Sequence, residues 1–264
     1  MVLSHVTRVQ IPVRASTAGR SAMEHRFDSG WERLYRVLSQ KFFRRPTLRV
    51  AKELLGKFLV RRVVEVRPAL RAQKDKPNFP YPVRRIGSQK IIGMITEVEA
   101  YIGPRDLASH ASRLWRGSPR AARGRTRRTE VMFGKPGCWY VYLIYGMHHC
   151  LNIVTEREGY PAAILIRSVL PCSDGTLCIY SRSRVNAKSR KIEVNDEVEG
   201  PGRVCRYFAI DRSLNGRPTS REAGLWIEDR GIKIPPRRIG RGRRIGVEYA
   251  GQWKDKLWRM YLKA

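Results

Sequence analysis

Four segments dense in Ile, Val and aromatic residues, at 91–101, 139–145, 150–154 and 162–170, constrain the fold of this chain more than any other feature. Each has strand length and carries the side chains that suit a pleated surface. Helical patterns do not alternate with them at regular intervals, as a doubly wound parallel sheet would require. The arrangement predicts an α+β fold: a single domain on a curved, mainly antiparallel sheet, with a projecting β-hairpin and surrounding helices. The hairpin is expected where 139–145 meets Gly146 and the chain returns through 150–154. Pro46-Thr47, then Leu48, Ala51, Leu54 and Leu55 before Gly56, reads as a short amphipathic helix with an early proline and a glycine stop. A strand is expected at 57–66, a proline-rich loop at 67–90, a basic loop at 235–244 and a last strand at 258–262. Gly200-Pro201-Gly202 opens a helix through Val204, Tyr207 and Phe208, whose first amides suit either core packing or a phosphate.

Alternation within 91–101 turns Ile92, Met94, Val98 and Ala100 toward the core and puts Glu97, Glu99 and Tyr101 on the opposite face. A glutamate in a partly enclosed site can deprotonate water while it stays ionised. Arg167, flanked by Ile164, Leu165 and Ile166, is a candidate to lower that glutamate's pKa. The same residues also fit an ordinary Glu–Arg pair on a sheet surface. The run from Trp139 to Tyr145 offers rings on which a base could stack, at about 1–3 kcal/mol each. Tyr140 and Tyr142 fall on one face, and Tyr145, beside Gly146, would project from the turn. Core packing explains the same aromatics, and His110 alone fits a polar loop contact.

Charge narrows the partner class. With 53 Lys+Arg against 23 Asp+Glu and a formal net charge of +30, the chain has the footprint of a polyanion binder, or simply a solvated basic surface. On duplex DNA each phosphate contact would steepen the salt dependence by about 0.9. Five cysteines form no CxxC pair, which argues for a reducing compartment and against a disulfide scaffold. His148-His149-Cys150 with Cys138 matches no common zinc spacing, so no metal is expected. No apolar run approaches the ~18 residues of a membrane span. Residues 1–38 read as a basic N-terminal extension, suited to a transit peptide, a disordered arm or a wrongly chosen start.

Taken in order, these residues resemble the alkyladenine (3-methyladenine) DNA glycosylase family. The blocks are Phe42-Phe43; Leu54-Leu55-Gly56-Lys57; Thr96-Glu97-Val98-Glu99-Ala100-Tyr101 with Gly103-Pro104 and Asp106; and Ser109-His110. They continue through Met132-Phe133-Gly134, Pro136-Gly137, Tyr140-Val141-Tyr142, Tyr145-Gly146-Met147, Asn152, Leu165-Ile166-Arg167 and Gly200-Pro201-Gly202, so the resemblance covers residues 39–264.

The resemblance implies a monofunctional base-excision-repair glycosylase. It would flip alkylated purines, with deaminated purines as a wider class, out of damaged double-stranded DNA and hydrolyse the N-glycosidic bond. Glu99 would activate the water and Arg167 would position it. Tyr101, His110 and Tyr142 would enclose the base, and Asn152 would disfavour the amino group of guanine. Tyr145 would intercalate, with Tyr140 and Met147 near the DNA contact. No metal, cofactor or lysine imine is implied, and a monomer is expected, acting on DNA inside the cell: cytoplasm or nucleoid, nucleus or organelle. Two alternatives remain open: a non-catalytic basic nucleic-acid-binding relative, and a lyase using a lysine such as Lys135. The sequence departs from the family's pattern at 113–122, which looks inserted, and in the long 67–90 stretch. The resemblance weakens at 172–199, and the role of His148 is open.

Overall fold

In the computed structural model the described residues are 35–63, 89–112, 124–172 and 197–263. Expectations placed on 1–34, 64–88, 113–123 and 173–196 lie outside them, including most of the proline-rich loop and the apparent insertion. Arg36–Ala264 form one unit. It opens with β1 (Arg36–Val37), α1 (Gln40–Phe43), α2 (Thr47–Leu54) and β2 (Phe58–Val63). The sheet continues with β3 (Gln89–Ile102), β4 (Trp139–Ile144), β5 (His148–Val154), β6 (Ala162–Cys172) and β7 (Val198–Glu199). After α3 (Pro201–Tyr207) come β8 (Leu225–Asp229), β9 (Ile239–Gly242) and β10 (Arg259–Leu262). The fold is the expected curved antiparallel sheet with a few helices around it.

The main path of the sheet runs β1-β8-β2-β3-β6-β5-β4, with β10 on β3, β9 on β10 and β7 on β6. Its spine is β3, which pairs with β6 along most of its length. On its other edge β3 changes partner, from β2 opposite Gln89 to Met94 to β10 opposite Glu97 to Glu99. Between these partners the amide of Gly56 donates to Ile95 O, and the amide of Ile95 donates to Lys57 O. The end of α2 is thereby spliced into the ladder, and these two bonds satisfy the backbone groups of Ile95 at the changeover.

Helix α2 forms because Thr47, Val50, Ala51 and Leu54 fall on one face and are all buried. It stops at Leu55, which is extended, and Gly56, whose φ of 81° suits only glycine. The core below it holds Phe43, Phe58, Ile92, Met94, Val98, Trp139, Ile166, Phe208 and Trp226. Ile92, Met94, Val98 and Ala100 face this core as alternation requires.

Four strands are not anticipated from the sequence: the two-residue β1 and β7, and the longer β8 and β9. The expected basic loop at 235–244 contains β9, whose ladder to β10 satisfies its backbone groups. Its alternation is masked by arginines, of which Arg241 points outward. The reading also passes over β8, Leu225-Trp226-Ile227-Glu228-Asp229, which pairs with β2 and β1. Among the described residues no helix is long and apolar enough to cross a membrane.

Candidate active site

Register across five strands assembles the site. Arg259 on β10 lies opposite Glu99 on β3, Glu99 opposite Leu165 on β6, Leu165 opposite Asn152 on β5, and Asn152 opposite Tyr140 on β4. Two residues along, Tyr101 opposes Ala163, which opposes Val154, and Tyr142 opposes Cys150. Alternate residues share a face, so Glu99, Tyr101, Ala163, Leu165, Arg167, Cys150, Asn152, Tyr140 and Tyr142 all look the same way. They line one cavity of about 170 Å³, bordered also by Ser109 and His110, by Met132, by Pro201 and by Ile245, Gly246, Val247 and Tyr249. A cavity of ~150 Å³ is known to admit a benzene-sized ring, so the space suits a flat aromatic ligand.

Glu99 is wholly buried. Its Oε2 accepts from the Tyr101 hydroxyl at 2.8 Å and its Oε1 from the Ile245 amide at 2.8 Å. Arg167 Nη1 stands 3.5 Å from Oε1. Burial pushes the carboxyl above its usual range; Arg167, the Ile245 amide and the Tyr101 hydroxyl pull it down, and nearby Glu97 pushes it up. Burial wins. Arg167 acts in the expected direction, pulling Glu99 down, and limits the rise caused by burial without reversing it. Nor is this a surface pair, since both side chains are enclosed.

A local irregularity sets Arg167. Ile95 opposes Val169 and Val98 opposes Ile166, but between them only Glu97 and Ser168 are paired. Thr96 and Arg167 are left out of the ladder. Glu97 accepts from Ser168 Oγ at 3.0 Å and from Arg259 Nη1 at 2.9 Å, and Arg167 Nε lies 3.3 Å from it.

The aromatic wall is tightly made. The rings of His110 and Tyr142 meet edge to face at 4.5 Å, and those of Tyr140 and Tyr142 lie 5.2 Å apart. The Tyr140 hydroxyl is 3.1 Å from His110 Nδ1. Expected near the DNA contact, Tyr140 is instead buried, because its strand face is the inner wall of the cavity. Burial pushes the Tyr140 phenol up to about 12 and raises Tyr142 well above the usual tyrosine value, so both rings stay neutral. Asn152 is buried, and its Nδ2 donates to Tyr140 O at 3.1 Å. Arg128, which the sequence reading passes over, places its guanidinium 5.1 Å from the Tyr142 ring.

At the rim, Tyr145 is 83% exposed and Met147 70% exposed on the turn joining β4 and β5. Tyr145 has φ 52° and Gly146 φ 69°. Two successive left-handed residues make the tight turn that suits the twist of a hairpin. A non-glycine residue there is held at a cost that commonly marks function.

The sequence reading also misses the segment that covers the site. Arg244 and Asp106 are fully buried and bonded to each other at 2.5 and 2.8 Å. Arg244 also donates to Ala100 O and Trp253 O and lies 4.8 Å from the Tyr101 ring. This pair pins the chain so that the Ile245 amide meets Glu99. The available signal is Ile245-Gly246-Val247, an apolar patch directly after a run of arginines. Leaving β3, Gly103 has φ 73°, and a side chain there would strike Tyr160; the tight exit delivers the loop that carries His110. Lys135 is exposed and does not line the cavity. Among the described residues no group of three His, Cys, Asp or Glu side chains is placed to hold a metal ion.

The family model described as methylpurine-DNA glycosylase matches residues 81–264. A protein of Methanocella arvoryzae is 41% identical over 227 residues, covering 86% of this chain and 92% of that one. Proteins of Myxococcus xanthus and Alkaliphilus oremlandii are each 37% identical, again across 86% of this chain, and over 90% and 95% of their own. All three bear the name "Putative 3-methyladenine DNA glycosylase".

Proposed function

The chain belongs to the methylpurine-DNA glycosylase family, and from that premise we propose that it releases alkylated purines from duplex DNA by hydrolysis, with Glu99 as the base. One observation carries the reading: a wholly buried carboxylate, held by a phenol and a backbone amide, opens onto an aromatic-lined cavity of about 170 Å³. A carboxylate desolvated in this way is a stronger base than one in water, provided it is ionised when water arrives.

In the proposed reaction Glu99 takes a proton from water as the water oxygen bonds to C1′ of the sugar. The N-glycosidic bond breaks, and its electron pair leaves with the purine. A purine alkylated at N3 or N7 is a cation, so it departs neutral and needs no proton from the protein. The developing positive charge on the sugar is stabilised by the anionic carboxylate beside it. Arg167 orients the carboxylate and the water.

The extruded base would lie between Tyr101 on one side and His110 and Tyr142 on the other, where a cationic purine gains from neutral, electron-rich rings. Asn152, fixed at the floor by its bond to Tyr140 O, would crowd the exocyclic amino group of guanine. Tyr145, projecting from the hairpin, would fill the gap left in the duplex, with Met147 beside it. Unalkylated, deaminated purines carry no leaving-group charge and should be released more slowly.

The test is release of free base from methylated duplex DNA, scored with the abasic sites left behind. Free methylpurine and alkali-labile sites, with no borohydride-trapped adduct, support a hydrolytic glycosylase. Tight binding without base release would favour a non-catalytic DNA-binding relative, and a trapped adduct would favour an imine-forming lyase.

A further inference from the structure

Glu97 is a second, largely buried carboxylate that the reaction above leaves unused. It lies two residues before Glu99 on the same face of β3 and is held by Arg259 of β10, Ser168 of β6 and Arg167 of β6. Arg167 is therefore stretched between two carboxylates, with Nε 3.3 Å from Glu97 and Nη1 3.5 Å from Glu99. Its buried Nε makes no hydrogen bond. A guanidinium facing a single carboxylate favours a two-pronged engagement of both oxygens at about 2.7–2.9 Å. Here neither glutamate receives it.

We propose that Glu97 is a positioning residue, which draws Arg167 partly away from Glu99 so that the guanidinium can orient the base without closing a bidentate pair over both of its oxygens. The proposal rests on the reading of Glu99 as the base. A carboxylate capped by a bidentate arginine would have its lone pairs occupied and would be a weaker base, whereas one lacking the arginine would be slow to ionise. Sharing one guanidinium between two carboxylates gives the intermediate state. Arg259 completes the device, since by neutralising Glu97 it limits how strongly Glu97 pulls on Arg167.

The groups facing Glu99 can be separated. On its own strand are Glu97 and Tyr101; Arg167 comes from β6, Cys150 from β5 and Arg259 from β10. Arg244 and Tyr249, from the covering segment, act on it through Tyr101. Glu97 and Arg259 do not line the cavity, so either can be changed without removing a contact to a bound base.

The experiment is a titration of the DNA-free protein with ¹³C-labelled glutamate carboxyls, following Glu99 in wild type, Glu97→Gln, Arg259→Gln and the double variant. Glu97→Gln lowers the Glu99 midpoint by on the order of one unit, the usual effect of a neighbouring charge. Arg259→Gln raises it, and has no further effect once Glu97 is gone, because it acts through Glu97. The acid limb of single-turnover base release follows in the same directions. Equal midpoints in wild type and Glu97→Gln overturn the proposal, as does an Arg259→Gln shift of undiminished size in the Glu97→Gln background. If Glu97→Gln does not fold, Arg259→Gln decides alone: an upward shift supports the device and no shift refutes it. A wild-type protein that releases no base would defeat the function proposed above, while the titration would still decide the role of Glu97.

Discussion

The two halves of β3 share one backbone and one partner strand, yet they do different work. In the first half Ile92, Met94 and Ile95 are buried in the main core, the register to β6 is even, and β2 closes the outer edge. In the second half Val98 and Ala100 continue the core, but the other face carries Glu97, Glu99 and Tyr101, and β10 closes the edge. The boundary is the unpaired Thr96 and Arg167. Upstream, Ile92 and Met94 on one face and Ile91 and Ile95 on the other pack in or against the main core. Downstream, one face stays with the core while the other borders a cavity lined with groups that are costly to bury.

The sharpest break of that comparison comes from Glu99→Gln. Losing a general base commonly costs 10²–10⁴-fold, so base release from methylated duplex should fall by about three orders of magnitude while affinity for the same DNA stays within a few-fold. Single-turnover kinetics beside a binding isotherm measures both. Unchanged turnover would remove Glu99 from the chemistry. The matching change upstream is Met94→Ala. Truncating a fully buried methionine costs about 2–5 kcal/mol, visible as a lower denaturant midpoint, while the rate per folded molecule should be unaltered. A large loss of rate in folded Met94→Ala protein would mean that the two halves are coupled after all.

Tyr145→Ala tests a smaller effect at the exposed end of the site. If the ring fills the vacated stack, its loss should weaken binding to damaged duplex by about 1–3 kcal/mol. The effect should largely vanish on DNA whose lesion is already unpaired, where no stack has to be replaced. The unfavourable φ at this position is a property of the backbone and persists with alanine, so stability should change little.

Much of the boundary within β3 and of the hairpin beyond it is legible in the amino-acid order alone. Alternation puts Glu97, Glu99 and Tyr101 together, and the glycine after Tyr145 announces a turn, because strand faces and hairpin turns are set by neighbours in sequence. What stays hidden depends on distant pairing. Nothing near Ile245 reveals that its amide reaches Glu99, 146 residues earlier, or that Arg244 is buried against Asp106. A lone arginine in a basic run looks like every other arginine there. Strand β9 escapes for the same reason, since its partner is the last strand of the chain. The burial of Tyr140 cannot be read either: sheet curvature decides which aromatic face turns inward, and curvature is a property of the assembled ladder.

The smallest predicted effect is in how the two regions respond to pH, and their signs are opposite. Around β1, β2 and β8, Asp229 is depressed: desolvation raises it, but the bonds from Lys57 and the Gly231 amide outweigh that. Its folded value lies below its unfolded one, so its contribution is present above the ordinary carboxylate range and is lost as pH falls through the folded value. Because the pair is partly exposed, this is worth less than about 1 kcal/mol. Glu99 runs the other way. With a folded value raised by burial, the folded state holds its proton more tightly than the unfolded chain. Stability therefore falls as pH climbs from the ordinary carboxylate value to the raised one, and the penalty persists above it. Melting curves taken between about pH 4 and 8 should show Glu99→Gln overtaking wild type as pH rises, with the two close together at the acid end. Asp229→Asn should instead lose its deficit as pH drops. A Glu99→Gln protein whose melting temperature stays below wild type across the whole range would mean that the bonds from Tyr101 and Ile245 outweigh the cost of burying the charge, and that the site is not held at the expense of the fold.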